Sequence, residues 1–535
     1  MTDPELTSGD SPSPWLTSAS RPIFPKLEGD VEVDVAIIGG GMFGLSAAYF
    51  LSQEGKRVAV LEDGVIGSGE TGRTTAHLAS ALDDRFFRLI QLHGEDGARL
   101  GWQSHAAAID KIEAIARKHK IECDFERLPG YLFPPRGEPA DIIDRELEAC
   151  RRIGVEGVEK QAATPLGDGP CLKFENQGQF HALKYLSGLA VAVTRADGRI
   201  FERTHVEDWD VQERVKVLVP GMGSVTASDL IVATNAPIAS RIKFPLRQFA
   251  YRTYVAALRL RRGELPKGLY WDTADPYHYL RFMPADEGDG GLLLVGGEDH
   301  KTGQPGKEDG EERYRRLEAW ARERIPQAGD AQFRWSGQIM EPADGMAFIG
   351  RYSDHVYIAT GDSGQGMTHG TVAGMLLRDL LLGRDNPWAK LYDPGRSTLK
   401  GFAEIASENL NVLPKYGRWM TGGDVAGPRE IPAGEGRVVR RGLKKLAIYR
   451  DERGALHTMS AVCPHLGCIV AWNGTEKTWD CPCHGSRFGP EGQVLNGPAN
   501  TDLETVRKPP SRVPKPRKES DRAAGRKAGR RRAKK

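Results

Sequence analysis

The stretch Asp34–Glu62, DVAIIGGGMFGLSAAYFLSQEGKRVAVLE, constrains the fold of this chain more than any other. Val35–Ile38 reads as a buried parallel strand, Leu45–Glu54 as a helix and Arg57–Leu61 as the next strand, which Glu62 ends. Between the first strand and the helix, Gly39, Gly41 and Gly44 spell G-x-G-x-x-G. Such a run gives a tight turn, room for a pyrophosphate against the backbone, and close packing of helix on strand. The helix N-terminus then offers free N–H groups and a positive dipole end to the phosphates. Glu62 lies 23 residues after Gly39, where a carboxylate can hold adenosine ribose hydroxyls. The alternative is a Gly-rich turn in some other α/β unit. The strands on both sides and the spaced acid favour a dinucleotide.

A chain of 535 residues is too long for one ordinary domain and suggests about three. The longest uncharged run, Val35–Gln53, contains the fingerprint glycines, which argues against a membrane span. The N-terminus, MTDPELTSGDSPSPW, has neither a basic n-region nor an apolar core, so residues 1–30 read as a disordered lead-in and the expected location is cytoplasmic. Charge is lopsided. Residues 511–535 carry twelve Lys/Arg against Glu519 and Asp521, a net of +10, which leaves −8 for the rest of a chain whose net is +2. This basic tail reads as solvated and disordered. Docking to an acidic redox partner or an anionic surface is the functional alternative. No aromatic residue interleaves it, so a stacking nucleic-acid platform is not expected. Of seven cysteines, Cys123, Cys150 and Cys171 are scattered and read as buried or free thiols. The other four cluster near the C-terminus, which without an export signal suggests metal or redox chemistry.

After the fingerprint unit, Gly67–Asp83 is a polar Gly/Thr-rich loop, placed to lay amides and hydroxyls along a cofactor. Helical spacing covers Asp84–Lys120, Asp141–Ile153, His181–Arg195 and Glu311–Arg324. Leu230–Asn235 (LIVATN) reads as a short buried strand, and Phe249–Arg261, Tyr277–Met283 and Gly291–Gly297 as strands of a second sheet. Val356–Thr360 then enters a second glycine-rich turn, Gly361–Gly370, from which a helix leaves. A helix N-terminus aimed at a flavin would stabilise negative charge on the reduced ring. The alternative is a simple Gly-rich cap.

The fingerprint at Gly39–Gly44, the LIVATN strand and the closing Gly361–Gly370 turn resemble the D-amino-acid-oxidase superfamily of FAD-dependent amine and amino-acid oxidoreductases. The resemblance implies an α/β fold over residues 31–393, with a Rossmann-like FAD-binding half interleaved with an α+β, mixed-sheet substrate half. It also implies oxidation of a substrate C–N bond by flavin. Carried onto this sequence, it puts Gly39, Gly41, Gly44 and Glu62 at the ADP, and Thr71, Arg73, Thr74 and Thr75 near pyrophosphate and flavin. Gly361, Gly364, Gly366, Met367 and Thr368 fall near the flavin pyrimidine edge. Many amino-acid oxidases of this group carry G-L-R-P-x-T-P-D-G, whose Arg clamps a carboxylate. Here the stretch is Gly337–Gly345 (GQIMEPADG), and Ile339 takes the Arg position. An apolar side chain cannot pair a carboxylate, so an amine, polyamine or modified amine is expected over a simple α-amino acid. Candidate substrate residues are Tyr254, Trp271, Tyr279 and Arg281. Arg281 could replace the missing clamp, the alternative being an exposed strand charge.

Residues 394–427 read as a linker, and 428–510 as a small all-β domain. This domain holds Cys463-Pro-His465, fifteen further residues, then Cys481-Pro-Cys483-His484. C-x-H followed by C-x-x-H is the pattern of a Rieske [2Fe–2S] domain, in which two thiolates suit one iron and two neutral imidazoles the other. Zinc is the alternative, but zinc pairs space as C-x₂₋₄-C and H-x₃₋₅-H. Cys468 and Cys483 resemble the disulfide that ties the cluster loops of cytochrome-bc-type Rieske proteins. Ser486 matches their cluster-bonding hydroxyl, and Phe488 stands where they often have Tyr. The leading expectation is an amine dehydrogenase that passes electrons from FAD through the cluster to an external one-electron carrier. An oxygen-using oxidase with a regulatory cluster and an electron-relay protein without its own small substrate are the alternatives.

Overall fold

The computed structural model describes residues 8–237, 247–304, 310–396, 417–419 and 421–506. The basic tail at 511–535 lies outside the described residues. The fingerprint strand, Val31–Ile38, sits inside an eight-stranded sheet, parallel to Val58–Leu61 on one side and to Gly223–Val232 on the other. Val356–Thr360 pairs parallel to Gly223–Val232 beyond it, and Arg199–Phe201 parallel to Val58–Leu61. These strands read as apolar runs because helices cover the face of the parallel sheet. Met42–Gln53 and Gly366–Leu381 pack on each other there. Their approach is set by small residues: a side chain at Gly374 would meet the Ser46 carbonyl at 2.8 Å.

The second sheet has nine strands and is mixed. Gln248–Arg261 is antiparallel to both Gly290–Lys301 and Ala331–Pro342, while Leu269–Asp272 runs parallel to Glu126–Phe133. Segments of the two sheets alternate along the chain. The helix at Asp141–Ile153 and the strand at Val356–Thr360 have the expected bounds. The long helix Phe86–His119 is broken at Gly94, where φ is +75°.

Three antiparallel strands (Glu435–Arg441, Lys444–Arg450, Leu456–Ser460) and a four-stranded sheet running from Ala471–Asn473 to Val494–Asn496 form the C-terminal domain. The linker boundary shifts. Asp424 donates its N–H to the Val438 carbonyl at 2.7 Å and Val425 bridges Val439, so 421–427 belong with this domain, while 397–416 lie outside the described residues.

The expectation of disorder over residues 1–30 does not hold for the part described. Ser8, Ser13 and Trp15 are completely buried, Pro14–Ser18 is a helical turn, and Trp15 Nε1 donates to the Thr74 carbonyl at 2.6 Å. The segment's polar composition hides one large aromatic and several serines, each with a partner in the body of the protein.

Candidate active site and cluster site

A cavity of about 300 Å³ opens between the fingerprint turn, the Gly/Thr loop, the second sheet and the closing glycine turn. Gly39 and Gly41 line it, while Gly44 lies beneath them, where a Cβ would stand 1.9 Å from the Gly39 carbonyl oxygen. Glu62 also lines it. Its Oε2 accepts from Gly40 N–H at 2.6 Å and its Oε1 from Gly64 N–H at 3.0 Å. Burial outweighs these two bonds and pushes its carboxyl up to about 7. Thr71 Oγ1 accepts from Met42 N–H at 3.0 Å, satisfying a donor at the helix N-terminus, and Thr74 and Thr75 line the wall beyond. Gly361, Gly364, Gly366 and Met367 close the opposite side. Thr368 is turned away and meets His105 Nδ1 at 2.8 Å.

Of the substrate candidates, Tyr279 and Trp271 reach the cavity and are joined by Tyr277, whose ring is 5.6 Å from that of Tyr279. Tyr254 does not. It is 3% exposed and stacks on His300 behind the sheet. Arg281 is neither a clamp nor an exposed charge. It is fully enclosed and donates to the carbonyls of Thr75 (2.6 Å) and Phe180 (3.2 Å) and to Gln179 Oε1 (2.9 Å). With its donors committed to carbonyls behind the wall, the guanidinium fixes the Thr74–Thr75 segment from outside. Arg73 lines the cavity with its stem, but its head points to Glu476 of the C-terminal domain.

Two acidic wall residues, Asp83 and Asp362, went unassigned in the sequence. Asp83 ends the Gly/Thr loop and faces Gly364, where a Cβ would lie 3.1 Å from its Oδ2 and 3.6 Å from the Tyr277 hydroxyl. Asp362 Oδ1 accepts from Met340 N–H at 2.8 Å. Burial pushes the carboxyls of Asp83 and Asp362 up to about 6 and about 7. Ile339 lines the cavity at the position where a clamping Arg was missed.

In the C-terminal domain Cys463 and Cys481 are buried free thiols, and Cys468 is disulfide-bonded to Cys483 across Cα atoms 6.4 Å apart. The sulfurs of Cys468, Cys481 and Cys483 come within 4.8 Å of one another, but the disulfide occupies two of them. The rings of His465 and His484 stand 4.9 Å apart, edge to face. The Nδ1 atom of each is buried and has no hydrogen-bond partner among the described residues. Two thiols and two orphaned imidazole nitrogens are the donor set that a [2Fe–2S] cluster with mixed ligation requires.

Residues 34–380 match the family of FAD dependent oxidoreductases, and residues 423–507 match the Rieske [2Fe-2S] domain. The chain belongs to the FAD-dependent oxidoreductases, with a Rieske domain fused to its C-terminus. It is 34% identical over 502 residues to a putative Rieske 2Fe-2S iron-sulfur protein, YhfW, of Bacillus subtilis (strain 168), covering 92% of this chain and 97% of that one. Gamma-glutamylputrescine oxidoreductase of Escherichia coli (strain K12) is 27% identical over 70% of this chain and 91% of its own. The fold is similar to that of glycine oxidase from Geobacillus kaustophilus, with a TM-score of 0.58 at 21% identity over 69% of this chain and 99% of that one. FAD and a Rieske cluster are its cofactors, and among the described residues no helix is long and apolar enough to cross a membrane.

The flavoprotein and Rieske parts meet through a buried cluster of charges. Glu476 of the Rieske domain meets Arg73 at 3.1 Å and Arg252 at 3.8 Å, with all three side chains at most 1% exposed. Beside them Arg487 pairs with Asp480 at 3.2 Å, and Gly9 of the N-terminal strap gives its carbonyl to Arg73 at 2.7 Å. Gln338, on the cavity wall, reaches the other way. Its Nε2 donates to the carbonyl of Gly485 at 3.1 Å, next to His484, while its own carbonyl accepts from Asn235 at 3.3 Å. Gln304 Nε2 adds a bond to the Pro482 carbonyl at 2.8 Å. No spacing in the sequence announces Gln338 or Glu476, because each acquires its role from a residue more than a hundred positions away.

Proposed function

We propose that the protein oxidises the C–N bond of an amine and passes the electrons, through its Rieske domain, to an external one-electron carrier. The observation that carries this reading is the Gln338 amide, a wall residue of the flavin cavity bonded directly to the loop that bears His484. Bound FAD would supply a two-electron acceptor, and the cluster a one-electron acceptor for onward transfer. Gly39, Gly41, Glu62, Thr71, Thr74, Thr75, Gly361, Gly364, Gly366 and Met367 would hold the FAD, with Gly44 and Thr368 packing behind. Cys463, His465, Cys481 and His484 would ligate the cluster.

The wall chemistry supports an amine. Asp83 presents a carboxylate beside the Tyr277 hydroxyl, and Tyr279 and Trp271 add aromatic faces, which suit an ammonium group. With its carboxyl pushed up to about 6, Asp83 can take the ammonium proton at Oδ2 and leave the neutral amine needed for oxidation. Ile339 offers no partner to a substrate carboxylate. The similarity to gamma-glutamylputrescine oxidoreductase supports the same class.

The test is anaerobic. Purified protein is mixed with amines, polyamines and amino acids, flavin absorbance is followed, and frozen samples are examined by electron paramagnetic resonance. Flavin bleaching by an amine together with a reduced Rieske signal is expected. Bleaching with a silent cluster would favour an oxidase, and no bleaching by any amine would remove the substrate assignment.

A further inference from the structure

One stretch of the flavin cavity wall comes from the Rieske domain. Val494, Asn496, Gly497, Ala499 and Asn500 line the cavity together with Glu62, Thr204, His205 and Val206. The second group marks the adenosine end. Glu62 terminates the second strand of the dinucleotide unit, its N–H bonds the Phe201 carbonyl at 2.9 Å, and its carbonyl accepts from Thr204 N–H at 2.9 Å. Asn500 fastens the Rieske loop to this segment, donating Nδ2 to the carbonyls of Glu207 at 2.6 Å and Val206 at 3.3 Å. Asn496 does the same toward the Gly/Thr loop, with Nδ2 3.2 Å from Glu70 Oε1. The loop is anchored on its own side by Ala499, whose N–H donates to Ser486 Oγ at 3.0 Å, between the cluster-ligand segment and the wall.

From this arrangement we infer that the 494–500 loop of the Rieske domain is part of the FAD site, closing over the adenosine end of the dinucleotide. A dinucleotide fold on its own leaves that end bordered only by its own strand ends and loops. Here a second domain completes the border, so binding of FAD and seating of the Rieske domain are linked. Each must strengthen the other by the same factor. The loop residues from 494 to 497 are only half-buried, which leaves them surface to give to a ligand.

The experiment uses the full chain, stripped of flavin with its cluster retained. Backbone hydrogen exchange is read with and without saturating FAD. FAD is expected to slow exchange over residues 494–500 while leaving the distant strand Lys444–Arg450 unchanged. Asn500→Ala, which removes two hydrogen bonds, is expected to raise the FAD dissociation constant about tenfold with the Rieske resonance signal unaltered. Saturation with FAD that leaves exchange over 494–500 unchanged overturns the inference. So does an Asn500→Ala protein that folds, keeps its cluster and binds FAD as tightly as the parent. If that variant does not fold, exchange on the unaltered chain decides alone.

Discussion

Arg73 and Glu476 meet 3.1 Å apart across the seam between flavoprotein and Rieske domain, with side chains 1% and 0% exposed. A charge pair so enclosed stabilises little by itself, but losing one partner strands the other. Glu476→Gln keeps the shape and leaves Arg73 and Arg252 without their counter-ion. Destabilisation by roughly 3–5 kcal/mol is expected, read as loss of cooperative unfolding between the two parts.

The same carboxylate gives an acid limit. Burial pushes its carboxyl up, but Arg73, Arg252 and Arg487 outweigh that and hold it at about 2, below the ordinary 4.5. A lowered folded-state value means the contribution is complete above about pH 4.5 and disappears as pH falls toward about 2. Thermal unfolding across that window should show the parent losing stability more steeply than Glu476→Gln. Equal slopes would contradict the pairing.

Glu62 has the opposite sign. Burial raises its carboxyl to about 7, so before FAD binds it is largely protonated below neutrality. In the proposed FAD site, ribose hydroxyls would donate to the carboxylate and favour its ionised form, so binding would release a proton. FAD affinity of flavin-free protein should rise as pH increases toward about 7 and level off above it. Glu62→Gln should flatten the profile, as measured by flavin fluorescence titration.

Arg281 is predicted to matter for folding and not for substrate affinity. Arg281→Met leaves the carbonyls of Thr75 and Phe180 without donors. A loss of about 3 kcal/mol is expected. The denaturant midpoint should fall while the substrate dependence of flavin reduction in the remaining folded protein is unchanged. A selective weakening of substrate binding would restore the clamp.

Phe488 is fully buried and pairs across the sheet with Trp479, two residues from Cys481, a proposed cluster ligand. The resemblance to cytochrome-bc-type Rieske proteins implies that a hydroxyl added by Phe488→Tyr would bond a cluster sulfur, and such a bond raises the reduction potential. Voltammetry should show the midpoint moving upward, and an unchanged midpoint would place the hydroxyl elsewhere.

Local chemistry was legible where function depends on closely spaced residues. The glycine fingerprint with Glu62, the closing turn at Gly361–Gly366, and the Cys463/His465 and Cys481/His484 pairs each need only one loop or one strand–turn–helix unit, so their spacing carries the message. The disulfide between Cys468 and Cys483 followed from resemblance to proteins with the same paired loops. What failed was the direction of side chains. Arg281 and Tyr254 sit on the strands expected of them, yet they face away from the cavity, because a residue's face depends on which layers cover each side of the sheet.

By itself the sequence determined that the chain carries a dinucleotide-binding unit and a Rieske unit, because both are announced by short-range motifs. Only the tertiary structure decided how those units meet. It turned the Arg73 head toward Glu476, set Gln338 against Gly485, drew the N-terminal segment into the seam, and brought Asn500 to the Glu62 end of the cavity. These contacts join residues up to several hundred positions apart. They arise when interleaved sheets and a fused domain bury charge and polar groups that must find partners wherever the fold supplies them.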